Sequence, residues 1–208
     1  LEKELRLTRR CLEIIDRYGY GGAIQTKSNR ILRDLDLLKS IHEQAKCVVQ
    51  MTLTTYDEEL CKILEPNVCT TKERVKTLQI FHENGIPTVV WLSPILPFIN
   101  DTRENIEGIL DYCNQAKVYG IICFGMGVTL REGDREYFYA ALDRNFPGLK
   151  EKYREKYGYS YQLNSDRHTE LMGILEDKCR KNGIVCDINE CFQYLHELPE
   201  KYEQMTLF

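Results

Sequence analysis

Thr26, Lys27 and Ser28 close an apolar run, AIQTKS, and set one committed cation between two hydroxyls where an extended segment gives way to a helical pattern. A lysine so placed pairs with a carboxylate or phosphate as a compact point charge. The alternative is a rim lysine whose stem lies over apolar surface while its ammonium stays in water. Three further β-branched runs end the same way: VVQMTLTT in Thr52, Thr54 and Thr55, TVVWLSP in Trp91 and Ser93, and IICFGMG in Met126. None of these runs carries a histidine or carboxylate. Acid–base work needs such a group, so these residues suit holding an anionic or zwitterionic ligand that brings its own reactivity. Glu65, in the loop KILEPN, either bridges to Arg74 or Arg33 as structure or contacts the ligand. No catalytic residue is assigned.

The intervening segments explain how four such ends would meet. ILRDLDLLKSIHEQ, TKERVKTLQIFHEN and NDTRENIEGILDYCNQAKVY each repeat apolar residues at helical spacing, with Val75, Leu78 and Phe81 on one side of the second and Ile106, Ile109, Leu110 and Cys113 on one side of the third. Strands alternating with such helices predict successive βα units and a parallel sheet, whose C-terminal ends share one rim. The expected strands are 22 to 27, 47 to 54, 88 to 93 and 121 to 126, with helices on the outer face. Glycines in YGYGG, at Gly85 and at Gly120 read as left-handed helix caps leading straight into a strand. An Asn or Asp near residue 101 is expected to cap the following helix.

The opening LEKELRLTRRCLEIIDRYG reads as one helix. After Gly127 the alternation stops, and helices are expected in LREGDREYFYAALDRNFP, LKEKYREKYG, SDRHTELMGILEDKCRKNGI and DINECFQYLHEL, the first two separated at Pro147 and Gly148. The domain reading is therefore a βα part over 1–128, helical additions packed on it over 129–200, and a tail over 201–208.

The 208 residues carry a net charge of −4 with acidic and basic side chains interleaved, so no whole-chain field favours nucleic acid. The basic, tyrosine-rich run LKEKYREKYGYSYQ reads as a solvated helix with buried tyrosines, the alternative being a grip on a nucleic-acid strand. No apolar stretch approaches the ~20 residues of a membrane helix. Nine cysteines stand singly, at 11, 47, 61, 69, 113, 123, 179, 186 and 191, without CxxC or CxxxCxxC spacing. An odd number in apolar contexts fits the reducing cytoplasm, and no metal site is expected. The start at Leu1 reads as part of a longer protein.

TRRCLEIIDRYGYGGAIQTKSNRILRDLDLL, followed by TLTTYDEELCKILEPNV and ERVKTLQIFHENGIPTVVWLSPILPFIND, resembles the radical S-adenosylmethionine proteins of the spore photoproduct lyase type, often called DNA repair photolyases. The resemblance runs from the first residue to about 160 and rests on the TKS, RDLDLL, LEP and PI-P-ND elements. It implies an α/β fold, a partial (β/α)6 TIM-like barrel of which strands three to six remain here, with C-terminal helical additions. It also implies S-adenosylmethionine and a 4Fe-4S cluster in the complete protein, the cluster cleaving the former to a 5′-deoxyadenosyl radical, and a lyase-type activity on damaged DNA. Lys27, flanked by Thr26 and Ser28, would contact the S-adenosylmethionine carboxylate, Thr52 and Thr54 its ribose, and Ser93 and Met126 its adenine side.

The chain departs from that pattern in lacking CxxxCxxC, so neither cofactor is expected bound to this fragment alone, which is expected to be inactive. Without the first two strands, the inner sheet face is expected to expose apolar side chains. Two other readings stand beside it: a non-catalytic barrel module binding a small anionic ligand or a protein partner, and an aldolase-type barrel with Lys27 as a Schiff-base amine, against which the absence of a nearby acid or base weighs. The tail QMTLF is similar to the bacterial sliding-clamp-binding pentapeptide, with Gln204 at a pocket edge and Leu207 and Phe208 filling it; the alternative is that the two apolar residues fold back on the helical additions.

Overall fold

The computed structural model describes residues 2–199. The chain begins with α1 (Glu2–Leu5) and α2 (Leu7–Arg17), followed by β1 (Gly22–Thr26), a 3-10 turn over Asn29–Asp34 and α3 (Leu35–Gln44). Then come β2 (Cys47–Thr52), α4 (Glu58–Leu64), α5 (Thr71–Glu83), β3 (Thr88–Trp91), α6 (Arg103–Gln115) and β4 (Gly120–Ile122). The C-terminal third holds β5 (Gly127–Thr129), α7 (Asp134–Asn145), α8 (Leu149–Tyr157), β6 (Gln162–Asn164), α9 (His168–Asn182) and α10 (Ile188–His196). The opening helix is broken rather than continuous, because Arg6 takes a left-handed φ of 48° between α1 and α2.

β1 to β4 form one parallel sheet in sequential order, as the βα pattern requires. Gln25 lies opposite Gln50, Thr52 opposite Trp91, and Trp91 opposite Ile122. Alternation then assigns the faces. Cys47, Val49, Met51, Val90 and Ile121 turn to one side, where Leu38, Ile41, Val75, Leu78, Phe81, Ile106 and Ile109 of the crossover helices bury them, together with Leu12 and Leu171. α6 is capped not by Asn100 or Asp101 but by Thr102, whose hydroxyl accepts from Asn105 N at 3.1 Å.

The opposite face corrects the expectation of an exposed apolar surface. Val48, Val89 and Ile122 are covered by α10, through buried Cys191 and partly buried Phe192, Tyr194 and Leu195. Burying each such side chain is worth about 1.5–3 kcal/mol, which gives the last helix reason to cross the sheet. Its approach depends on β4. Ile121 N donates to Val185 O at 2.8 Å, and a Cβ on Gly120 would lie 2.8 Å from Cys191 Sγ and 3.0 Å from Val185 O. Gly120 is thus a close-packing glycine inside the strand rather than a helix cap, and the left-handed residue after α6 is Lys117, at φ 54°. Lys46 anchors the far end of α10, its Nζ donating to Tyr194 O and, at 3.1 Å, to Glu197 O, while lying 3.4 Å above the Tyr194 ring. β1 stays outside this cover, with Ala23 and Gln25 exposed.

Between β4 and α9 the sequence predicts helices only. Instead β5 and β6 pair antiparallel, Val128 opposite Leu163, with α7 and α8 inserted between them. Three-residue strands are too short to display an alternation signal. Leu130, Tyr139, Leu142, Tyr153 and Leu163 form a second core there, against Phe98 and Ile99. The run LKEKYREKYGYSYQ buries Tyr153 and leaves Tyr159 and Tyr161 exposed. Among the described residues no helix is long and apolar enough to cross a membrane.

Candidate ligand rim at the strand ends

Lys27 stands just beyond β1, and its Nζ donates to Glu65 Oε1 at 2.5 Å. The other oxygen, Glu65 Oε2, lies 2.8 Å from Arg74 Nη1. That contact has ion-pair distance without hydrogen-bond alignment, since Oε2 finds no hydrogen-bond partner. Arg74 is fully buried on α5. Its Nε donates to Cys69 O and its Nη1 to Thr52 O, each at 2.8 Å. Cys69 Sγ in turn donates to Lys27 O at 2.9 Å. One guanidinium therefore ties the end of β2, the Glu65 loop and, through Glu65, the end of β1. Two cations against one carboxylate leave this part of the rim net positive while the Lys27 side chain remains 42% exposed.

Thr26 and Ser28 border a cavity of about 630 Å³ along the outer side of β1, together with Ile24, Gln25, Arg30 and Arg33. Their hydroxyls are already part of the turn: Ser28 N donates to Thr26 Oγ1 at 3.0 Å, and Ser28 Oγ accepts from Arg30 N at 3.2 Å to cap the 3-10 turn. Beneath it Asp34, almost wholly buried, takes Arg9 at 3.2 Å and Arg33 at 2.7 Å. Arg9 also holds Asp36 at 2.7 Å, which pulls that carboxyl down to about 2. The RDLDLL string thus fastens α2 to the turn behind the rim.

Ser93 lies in a second groove, of about 440 Å³, with Trp91, Pro94, Phe124 and Gly125 on one side and Thr129, Gln162 and Asn164 of the β5–β6 ladder on the other. Trp91 Nε1 donates to Gln50 Oε1 at 2.8 Å, and the Trp91 and Phe124 rings are 5.9 Å apart. The Ser93–Pro94 peptide is cis. Gly125 has φ 121°, and a Cβ there would lie 2.8 Å from His168 Cε1; beside it Met126 N donates to His168 Nδ1 at 3.2 Å.

The seven residues named from sequence do not form one cluster. Thr26 and Ser28 share the β1 cavity, Ser93 lies in the second groove, and Lys27 stands on the Glu65–Arg74 pair. Thr52 is buried, with its carbonyl on Arg74. Thr54 is buried with its carbonyl accepting from Asn100 Nδ2 and Asn105 Nδ2, each at 2.9 Å. The Met126 side chain is wholly buried in the main core, and its neighbours Gly125 and Gly127 line the groove instead. Arg74 and Phe124 were not named as site residues. Arg74 had a signal, since it occupies the apolar stripe Thr71, Arg74, Val75, Leu78, Phe81 at helical spacing, where an exposed arginine does not belong. Among the described residues no three histidine, cysteine or acidic side chains converge as a metal would require.

No family model matches the chain. An uncharacterized protein of Mycobacterium tuberculosis is 30% identical over 135 residues, 65% of this chain and 39% of the relative. An uncharacterized protein of Methanocaldococcus jannaschii is 35% identical over 114 residues, 55% of this chain and 42% of the relative. The chain spans about two-fifths of the length of these curated relatives. Among solved structures, a spore photoproduct lyase mutant with bound AdoMet and dinucleoside spore photoproduct aligns with a TM-score of 0.56 at 15% identity, covering 88% of this chain and 53% of that one. The fold is therefore shared with that lyase: a mixed α/β arrangement around a four-stranded parallel sheet.

Proposed function

We propose that this chain is the C-terminal part of a radical S-adenosylmethionine enzyme of the spore photoproduct lyase type, its sheet being strands three to six of a partial (β/α)6 barrel, acting on damaged DNA in the cytoplasm. The observation that carries the reading is the net-positive rim at Lys27 on a fold shared with a lyase whose solved structure holds AdoMet and a dinucleoside lesion. That the chain covers about two-fifths of its relatives supports its being a part. The nine free thiols support a reducing compartment.

The residues present fit S-adenosylmethionine. Lys27 offers a half-exposed ammonium to a carboxylate, Thr26 and Ser28 flank it, and the Trp91 and Phe124 rings, inclined at 46° to one another beside Ser93 and Gly125, offer apolar faces with polar edges to a purine. In this reading Thr52 and Thr54 act from behind the rim, through the carbonyls that fix Arg74, Asn100 and Asn105, and Met126 acts by setting the backbone of Gly125 and Gly127. When bound and reduced, S-adenosylmethionine supplies a 5′-deoxyadenosyl radical able to take hydrogen from carbon. The described residues do not fit a 4Fe-4S cluster, whose three thiolates must converge; the reading assigns it to other parts of the complete protein, and no step is derived through it.

The division into a barrel part over 1–128 and additions over 129–200 belongs to the same reading, although β5 runs across residue 128. So does the sliding-clamp contact of Gln204, Leu207 and Phe208, which lie outside the described residues. Anaerobic iron–sulfide reconstitution of the complete protein, read by 5′-deoxyadenosine release, tests the activity; none released ends the radical reading. Lys27→Ala in that protein is expected to weaken S-adenosylmethionine binding by about 1.5–3 kcal/mol, the worth of a charge-assisted hydrogen bond. Unchanged affinity in calorimetry would return Lys27 to the surface.

A further inference from the structure

We infer that Glu65 is a swinging carboxylate that releases Lys27 to the carboxylate of an incoming ligand by turning fully onto Arg74. The ligand's identity rests on the function proposed above; the swing rests on the rim alone.

Three observations define it. Lys27 Nζ is engaged by Glu65 Oε1 at 2.5 Å, so an arriving carboxylate meets a cation already occupied. Glu65 Oε2 and Arg74 Nη2 are both buried without a hydrogen-bond partner, although the two side chains are in ion-pair contact at 2.8 Å. Arg74 cannot be the member that moves, because it is wholly buried and its Nε and Nη1 are held by Cys69 O and Thr52 O. Glu65, in the loop between α4 and α5, can.

A guanidinium offers parallel N–H groups that match the two oxygens of a carboxylate. Rotation of the Glu65 carboxylate towards Arg74 Nη2 would satisfy both orphaned atoms and vacate Nζ of Lys27. Two carboxylates crowded on one ammonium repel each other, so the arriving anion itself favours the turn. Without ligand, Glu65 spans both cations; with ligand, it pairs with Arg74 and Lys27 pairs with the newcomer. The rim carries one uncompensated positive charge without ligand and is charge-matched with it, and no buried donor is left unpaired in the second state.

The test uses the complete protein and its Glu65→Gln and Glu65→Asp variants. Calorimetric titration with S-adenosylhomocysteine is compared with 5′-methylthioadenosine, which keeps the nucleoside and lacks the carboxylate. Acylation of the Lys27 amine by an N-hydroxysuccinimide ester, read by mass spectrometry, reports its availability without any ligand. The glutamine keeps the shape but weakens the hold on Lys27, and the shorter aspartate cannot span both cations. Both variants are expected to bind S-adenosylhomocysteine about threefold to tenfold more tightly, to bind 5′-methylthioadenosine as before, and to acylate faster at Lys27. Equal or weaker S-adenosylhomocysteine binding in both variants overturns the swing, as does unchanged acylation. Failure of both nucleosides to bind any form, with acylation still raised, overturns the proposed ligand and leaves Glu65 as the gate on Lys27.

Discussion

Replacing Arg74 by Met tests whether the rim is built around one buried guanidinium. Arg74 has no exposed surface, and its removal strips three partners at once: Cys69 O, Thr52 O and the Glu65 carboxylate. Met fills much of the same volume, so the cavity contribution is small and the polar loss dominates. Two carbonyls left without donors cost about 1–3 kcal/mol each. Glu65, at 12% exposure, would keep only Lys27. Breaking a buried ion pair by removing one member typically costs about 3–5 kcal/mol, and relaxation of the Glu65 loop towards water argues for that figure rather than the larger sum. For a chain of this size it corresponds to a fall in Tm of roughly 6–20 °C. Trp91 is the single tryptophan and sits on the sheet, which makes its fluorescence in urea titrations a direct probe. The double variant Arg74→Met, Glu65→Gln should recover part of the loss, because it removes the stranded carboxylate. A loss below about 1 kcal/mol, or no recovery in the double variant, would refute the view of Arg74 as the hub of the rim.

Acid should loosen the α2 attachment. Arg9 beside Asp36 holds that carboxyl down to about 2, below its ordinary value near ~4, so the pair's contribution is complete above pH ~4 and is lost as pH falls through ~2. The stability difference between the native chain and Asp36→Asn should therefore be present at pH 6 and vanish near pH 2; a difference that persists at pH 2 would contradict the assignment. Gly120→Ala should destabilise by about 1–3 kcal/mol, because the added methyl meets Cys191 Sγ and the Val185 carbonyl and drives α10 off the sheet. Increased dye binding to exposed apolar surface at constant helix content would report that displacement, and an unaltered urea midpoint would refute it.

The four parallel strands, their order and the helices that cross between them were legible in the chain, because continuous β-branched runs and apolar repeats of 3.6 residues are local signals that the core must honour. The sequence also located the polar ends, since a strand in a doubly covered sheet cannot stay polar along its length. What those ends do depends on contacts between distant segments. Thr52, Thr54 and Met126 look like rim residues in the chain, yet burial turns the first two into carbonyl supports and the third into core. Arg74 became the hub because residues 47 positions apart, Lys27 and Arg74, meet across Glu65. The same holds for α10. Nothing within DINECFQYLHEL states which surface it covers; the choice follows from Val185 pairing with β4 and from Gly120 leaving room for Cys191, contacts between segments about 65 residues apart in the chain that no local spacing encodes.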